Sequence, residues 1–235
     1  MSVEPTAPPT ARRPGPRFRP SWSGGLVLLT LLAIVGMVVA NQADPATSDR
    51  EAQDRLSVVV TAGGNVALLL LAVLVCLGLV LSHPLNDRTW RVSRSIFPWH
   101  RHLWIFVLAF VVIHVAGIVL DPFARVSVVG ALVPGSSAYR SVAVALGTMT
   151  LYAFLITVLI ATHPNLVSHR AWLVIHRVSI VVFALAWLHV YLIGSDSGDL
   201  DWLHLSTGFA VVLAGVYRLW AARLRRPTFV TSLAG

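Results

Sequence analysis

The chain has 235 residues, and among them there is one cysteine, no lysine and little charge of either sign. Cys76, alone, rules out an intramolecular disulfide and a cluster of thiolate ligands. It reads as a small apolar filler inside an apolar run. Charged residues make up 12% of the chain, about half of what a soluble domain carries, and this excludes an ordinary soluble fold. No glycine-rich dinucleotide fingerprint follows a strand anywhere. No flavin or nicotinamide domain is expected within these residues.

What the sequence does have is long apolar runs. A transmembrane helix needs roughly 20 consecutive apolar residues. Six runs qualify, at about 22–41, 58–82, 103–120, 143–162, 172–193 and 203–222. The expected fold is an all-α integral membrane protein, a six-transmembrane-helix bundle over 22–224. It is preceded by a Pro/Arg-rich tail, 1–21, of disordered composition, and followed by a short tail, 225–235. Arg12-Arg13 ahead of the first run resembles an export signal with cleavage near Ala40, but that run is long for a signal peptide.

The net charge of +8 does not indicate nucleic acid, because the arginines are not scattered. Fourteen fall on one side of the six spans and four on the other, whereas eight of the ten acids take the opposite side. This is a positive-inside bias. It predicts cytoplasmic termini, a multi-pass protein of the inner (cytoplasmic) membrane, and lipid as the surrounding partner. The loop 41–57 and the longer stretch 121–142 then lie outside, with VSVVGALV (126–133) as a short interfacial segment. Gly63-Gly64, within a span, suits close helix approach.

One internal repeat carries the chemistry. His83-Pro84, His100-Arg101 and His114-Val115 recur in order as His163-Pro164, His176-Arg177 and His189-Val190. Spans three and five run the same way, so the repeat implies an approximate two-fold axis along the membrane normal. At ~1.5 Å per residue, His100 and His114 stand ~21 Å apart along their helix, and His176 and His189 ~20 Å. Two imidazole pairs at two depths result: His100 with His176 near the inner side, His114 with His189 near the outer.

Two neutral imidazoles on facing helices can take both axial positions of a haem iron, and ligand identity, hydrogen bonding and burial then set its potential. Two haem b groups at two depths would carry an electron across an insulating layer. At 100° per residue, His100 and His114 share a face, ~40° apart, while His102 is ~120° from His114. His102 therefore stands as a bystander or a substitute ligand. His176 and His189 fall ~140° apart in an ideal helix. A kink or π-bulge would bring them together; otherwise the haems use different flanks. His83, His163, His169 and His204, at span ends and in loops, read as structural or interfacial. Arg101 and Arg177 follow the inner histidines. A guanidinium fork suits haem carboxylates, and the positive-inside bias accounts for the same arginines equally well.

At these residues the chain resembles the ferric reductase-like transmembrane domain family, which includes ferric reductases, NADPH oxidases and the haem-binding subunit of bacterial methionine sulfoxide reductase systems. The resemblance covers about 58–205. It rests on His100-Arg101 with His114, Leu120-Asp121-Pro122-Phe123, Arg170-Ala171-Trp172 leading to His176, and His189 with Gly194-Ser195-Asp196. It implies two b-type haems on spans three and five, with His100 and His176 on the inner iron and His114 and His189 on the outer. It also implies outward electron flow from quinol or a separate cytoplasmic flavin reductase to an outer-face enzyme, ferric iron or oxygen. Two rival readings are a haem-free transporter or proton channel with relay histidines, and a membrane anchor for a redox partner.

Overall fold

The structure is a computed structural model that describes residues 48–82, 87–122, 124–194 and 201–224. The first expected span, 22–41, and both tails lie outside the described residues. Seven α-helices and one 3₁₀ turn, Pro164–Leu166, account for these residues, with no strand among them. The helices are α1 (Asp49–Leu81), α2 (Asp87–Leu120), α3 (Val128–Leu132), α4 (Ser141–Thr162), α5 (His169–Arg177), α6 (Ser179–Gly194) and α7 (Asp201–Leu224). Five stretches are long and apolar enough to cross a membrane: α1, the Ser93–Leu120 part of α2, α4, His169–Ile193 across α5 and α6, and Trp202–Arg223 of α7. The described chain is thus an all-helical, multi-pass membrane protein.

Local chemistry extends two helices beyond their apolar runs. Ser48 accepts a hydrogen bond from the Glu51 N–H at 3.2 Å. Ser-x-x-Glu is a capping-box sequence, and the acids Asp49 and Glu51 sit in the first turn, where the helix dipole favours negative charge. Glu51 also pairs with Arg55 one turn on, at 2.7 Å. The polar segment 49–57, expected as loop, is therefore the first turns of α1. In the same way α2 begins at Asp87, sixteen residues before its apolar run, and continues through Pro98.

The segment 126–133 forms the one-turn helix α3, capped by Ser127, whose Oγ accepts from the Gly130 N–H at 3.0 Å. Thr148 and Tyr152 on α4 donate their hydroxyls to the Ala131 and Leu132 carbonyls. These bonds tie the segment back onto the bundle. Arg140 donates to the Leu192 and Ile193 carbonyls at 2.8 and 3.0 Å, satisfying the acceptors that the end of α6 leaves open.

Helix α1 is the central element. It supplies Leu68, Leu71, Ala72, Val75 and Leu79 to a core completed by Val107 of α2, Phe154 of α4, Val182 and Phe183 of α6 and Val211 of α7. Many other large apolar side chains, among them Val112, Val142, Ile156, Val181, Phe209 and Leu219, point outward. Lipid is as apolar as leucine, so close packing rather than transfer from water holds such helices together. Small residues permit it. A Cβ on Gly117 would lie 2.6 Å from the Val60 side chain, and one on Gly63 would lie 3.5 Å from the His114 backbone nitrogen. Backbones of α1 and α2 thus approach at the level of His114.

Candidate cofactor site

Helix α2 presents two histidines, fourteen residues apart, to the α5–α6 segment, which presents two of its own. The His100 and His176 ring centres are 5.9 Å apart with their planes at 90°. Those of His114 and His189 are 6.4 Å apart with planes at 85°. All four predicted residues are thus brought together, and in the predicted pairs. His102 is not: its Nδ1 pairs with the Pro98 carbonyl of its own helix at 2.8 Å.

The angular conflict between His176 and His189 is resolved by a break. Helix α5 ends at Arg177, and α6 begins at Ser179. At the junction the Val178 N–H reaches both the Val174 and Ile175 carbonyls at 3.1 Å, and the Val181 N–H reaches the Val178 carbonyl at 2.8 Å. Bonds between residues three apart wind the chain at 3.0 residues per turn, adding ~20° per residue over an α-helix. That extra rotation reduces the ~140° offset of an ideal helix. Both rings consequently reach the same partner helix, α2. Nothing in the apolar pattern of 172–193 marks the break.

Three of the four rings are fixed by one recurring device. Nδ1 of His114 pairs with the Val60 carbonyl at 2.8 Å, Nδ1 of His189 with the Ala143 carbonyl at 2.7 Å, and Nδ1 of His100 with the Leu74 carbonyl at 3.1 Å. A carbonyl accepts, so Nδ1 carries the proton and Nε2 keeps its lone pair for a metal. Each of these carbonyls lies four residues before a glycine: Gly64, Gly147 and Gly78. Within a helix, residue i+4 donates to the carbonyl of residue i, and its side chain stands beside that oxygen. Glycine leaves room for an imidazole to share the acceptor. A Cβ on Gly147 would fall 2.7 Å from His189 Cε1, one on Gly64 2.9 Å from His114 Nδ1, and one on Gly78 3.0 Å from His100 Cε1.

The spacing repeats on both sides of the site. Gly64 and Gly78 are fourteen residues apart, as are His100 and His114 on the antiparallel neighbour. The glycine pattern was a readable sequence signal, and it is absent from the histidine-based reading.

The geometry can be tested against a haem iron. Metal–imidazole nitrogen bonds are ~2.0–2.1 Å, and ~1.1 Å separates each ring centre from Nε2, so two axial imidazoles place their centres ~6.3 Å apart. The observed 6.4 Å for His114 and His189 falls on that span, and the 5.9 Å for His100 and His176 is shorter than it. Each pair offers two nitrogens. A bare zinc ion takes four ligands, whereas a porphyrin brings its own four. Two ring nitrogens per pair suit a group that brings its remaining ligands with it, as a haem does.

The remaining histidines have other settings. His163 makes local bonds to Leu159 and Thr162. The His204 ring stacks on Trp187, 3.9 Å between centres, and its carbonyl accepts from the indole N–H at 2.9 Å, joining α6 to α7. His169 stacks on Trp172. His83 lies outside the described residues. Arg101 and Arg177 are exposed, adjacent in sequence to the His100–His176 pair. No protein-family model, curated protein or solved structure matches this chain.

Proposed function

We propose that this protein is a dihaem b-type membrane cytochrome that carries electrons between the two faces of the cell membrane. The observation that supports the reading is the pairing of imidazoles at two levels, 5.9 and 6.4 Å between ring centres, near the ~6.3 Å span of a two-histidine iron site. When bound, each haem supplies an iron that takes up and releases one electron. The chain's own residues do the rest. His100 and His176 would hold one haem iron, and His114 and His189 the other. At His100, His114 and His189, hydrogen bonds from Nδ1 to backbone carbonyls fix the tautomer and would strengthen the imidazole as a ligand. Val107, Val182 and the α1 core close the space between helices and exclude water.

The reading extends to six spans with both termini cytoplasmic, on the strength of the arginine bias. The His100–His176 level then faces the cytoplasm, where Arg101 and Arg177 suit the carboxylates of an inner haem. Electrons would enter there from quinol or from a separate flavin reductase and leave at the His114–His189 level. The acceptor at that level would be a partner reductase, ferric iron or oxygen.

The test is a reduced-minus-oxidised spectrum of the purified protein with pyridine haemochrome quantitation. Two b haems per chain are expected. A protein isolated from haem-replete cells with no visible absorption would instead be read as a haem-free transporter or channel. His114→Ala and His189→Ala are expected to remove the same haem, and His100→Ala and His176→Ala the other.

A further inference from the structure

His176 stands apart from the other three histidines. Its Nδ1 is buried with no hydrogen-bond partner among the described residues. The repeat supplies the reason. Gly64 is followed fourteen residues later by Gly78, but fourteen residues after Gly147 comes Ala161. The fourth position of the repeat thus carries a methyl group where the other three carry none. The backbone-carbonyl device is therefore built three times, and the fourth ring needs another support.

That support is aromatic. Trp172, one turn earlier on α5, stacks on His176 with ring centres 4.9 Å apart and planes 10° from parallel. His169 stacks on the far face of Trp172, at 6.2 Å and 7°. Positions 169, 172 and 176 share one face of the helix, so the short α5 carries a column of three parallel rings ending at the inner pair. Offset stacking of this kind is attractive beyond simple burial, on the scale of one net hydrogen bond.

We propose that Trp172 is the positioning residue of His176, holding its ring plane perpendicular to that of His100 by stacking, where the other three rings are held by a carbonyl over a glycine. The proposal rests on the two-haem reading. The plane matters because the angle between two axial imidazoles splits the ferric iron's d orbitals. Perpendicular rings leave two of them nearly degenerate and give a strongly anisotropic low-spin resonance, whereas parallel rings give a rhombic one. Both pairs are near perpendicular, at 90° and 85°.

The experiment is electron paramagnetic resonance on the oxidised, detergent-purified full chain, with haem content measured on the same samples. Wild type is expected to show two strongly anisotropic low-spin signals. W172F keeps a stacking ring and is expected to retain both. W172L and W172M remove the ring with little change in apolar character; each is expected to shift one signal toward the rhombic form, leaving the other unchanged. The proposal is overturned if both aliphatic variants keep the wild-type pair of signals with two haems bound, if both signals shift together, or if W172F behaves as W172L does. A wild-type protein lacking two haems would overturn the two-haem reading itself, a result distinct from any of these.

Discussion

Gly147→Ala puts the glycine device under direct strain. The added Cβ would lie 2.7 Å from His189 Cε1, 2.8 Å from Nδ1 and 3.1 Å from Nε2. Ordinary carbon contacts begin near ~3.5 Å, so the ring or the helix must retreat by roughly 0.8 Å. The ring is not free to do so. Its Nδ1 bond to the Ala143 carbonyl is 2.7 Å long, and a retreat of that size carries it beyond ~3.2 Å, the ordinary limit for such bonds. Overpacking costs about 1–3 kcal/mol, and the lost hydrogen bond adds about 1 kcal/mol. A local penalty of about 2–4 kcal/mol, expressed in cofactor affinity, weakens binding roughly 30- to 900-fold. It is smaller than the stability of most folds, about 5–15 kcal/mol, so the bundle persists. The assay is haem quantitation after purification in detergent, with titration of added haem. One haem per chain is expected, with the His100–His176 site still filled. Gly215, whose added Cβ meets nothing within 4 Å, is the control: G215A keeps both haems, and helix propensity favours it by about 1 kcal/mol. A G147A protein with two haems at wild-type affinity would refute the argument from close approach.

Other outcomes follow from the same geometry. G64A, with contacts at 2.9 and 3.0 Å, is expected to weaken the same haem as G147A. G78A meets one close atom at 3.0 Å and the next at 3.7 Å, so its effect falls on the other haem and is the mildest of the three; titration of each variant with haem gives the order. His102→Ala is expected to leave both haems and their spectra intact, because His102 bonds within its own helix; loss of a haem would make it the ligand in place of His100. Arg140→Gln removes charged hydrogen bonds to two carbonyls ending α6, each bond contributing about 1.5–3 kcal/mol when undivided. It is expected to lower the midpoint of thermal unfolding in detergent, and an unchanged midpoint would show that the cap contributes nothing.

Membrane class, five of the six expected spans and the approach of the histidines in pairs were legible in the amino-acid order. The reason is that each depends on one-dimensional quantities: the length of an apolar run, the side on which arginine collects, and the rise of a helix between two residues. The capping sequence Ser48–Glu51 stands in the chain, but the polar composition of 41–57 reads as loop, and the helix start at Asp49 came from the structure. Angular position was a different matter. His176 and His189 look incompatible on an ideal helix, and only the break at Val178 lets both face α2. That break arises from backbone bonds at three-residue spacing, which no apolar pattern records.

The sequence by itself determined a helical membrane chain with two histidine levels, because hydropathy and rise per residue act along the chain. Only the tertiary structure decided which atoms hold each ring. Whether a carbonyl can accept a second hydrogen bond depends on whether the residue one turn later has a Cβ, and on which neighbouring helix comes close enough to use the gap. Glycine at 64, 78 and 147 lacks a single methyl group, and that lack acquires meaning only because an imidazole from another helix lies against each.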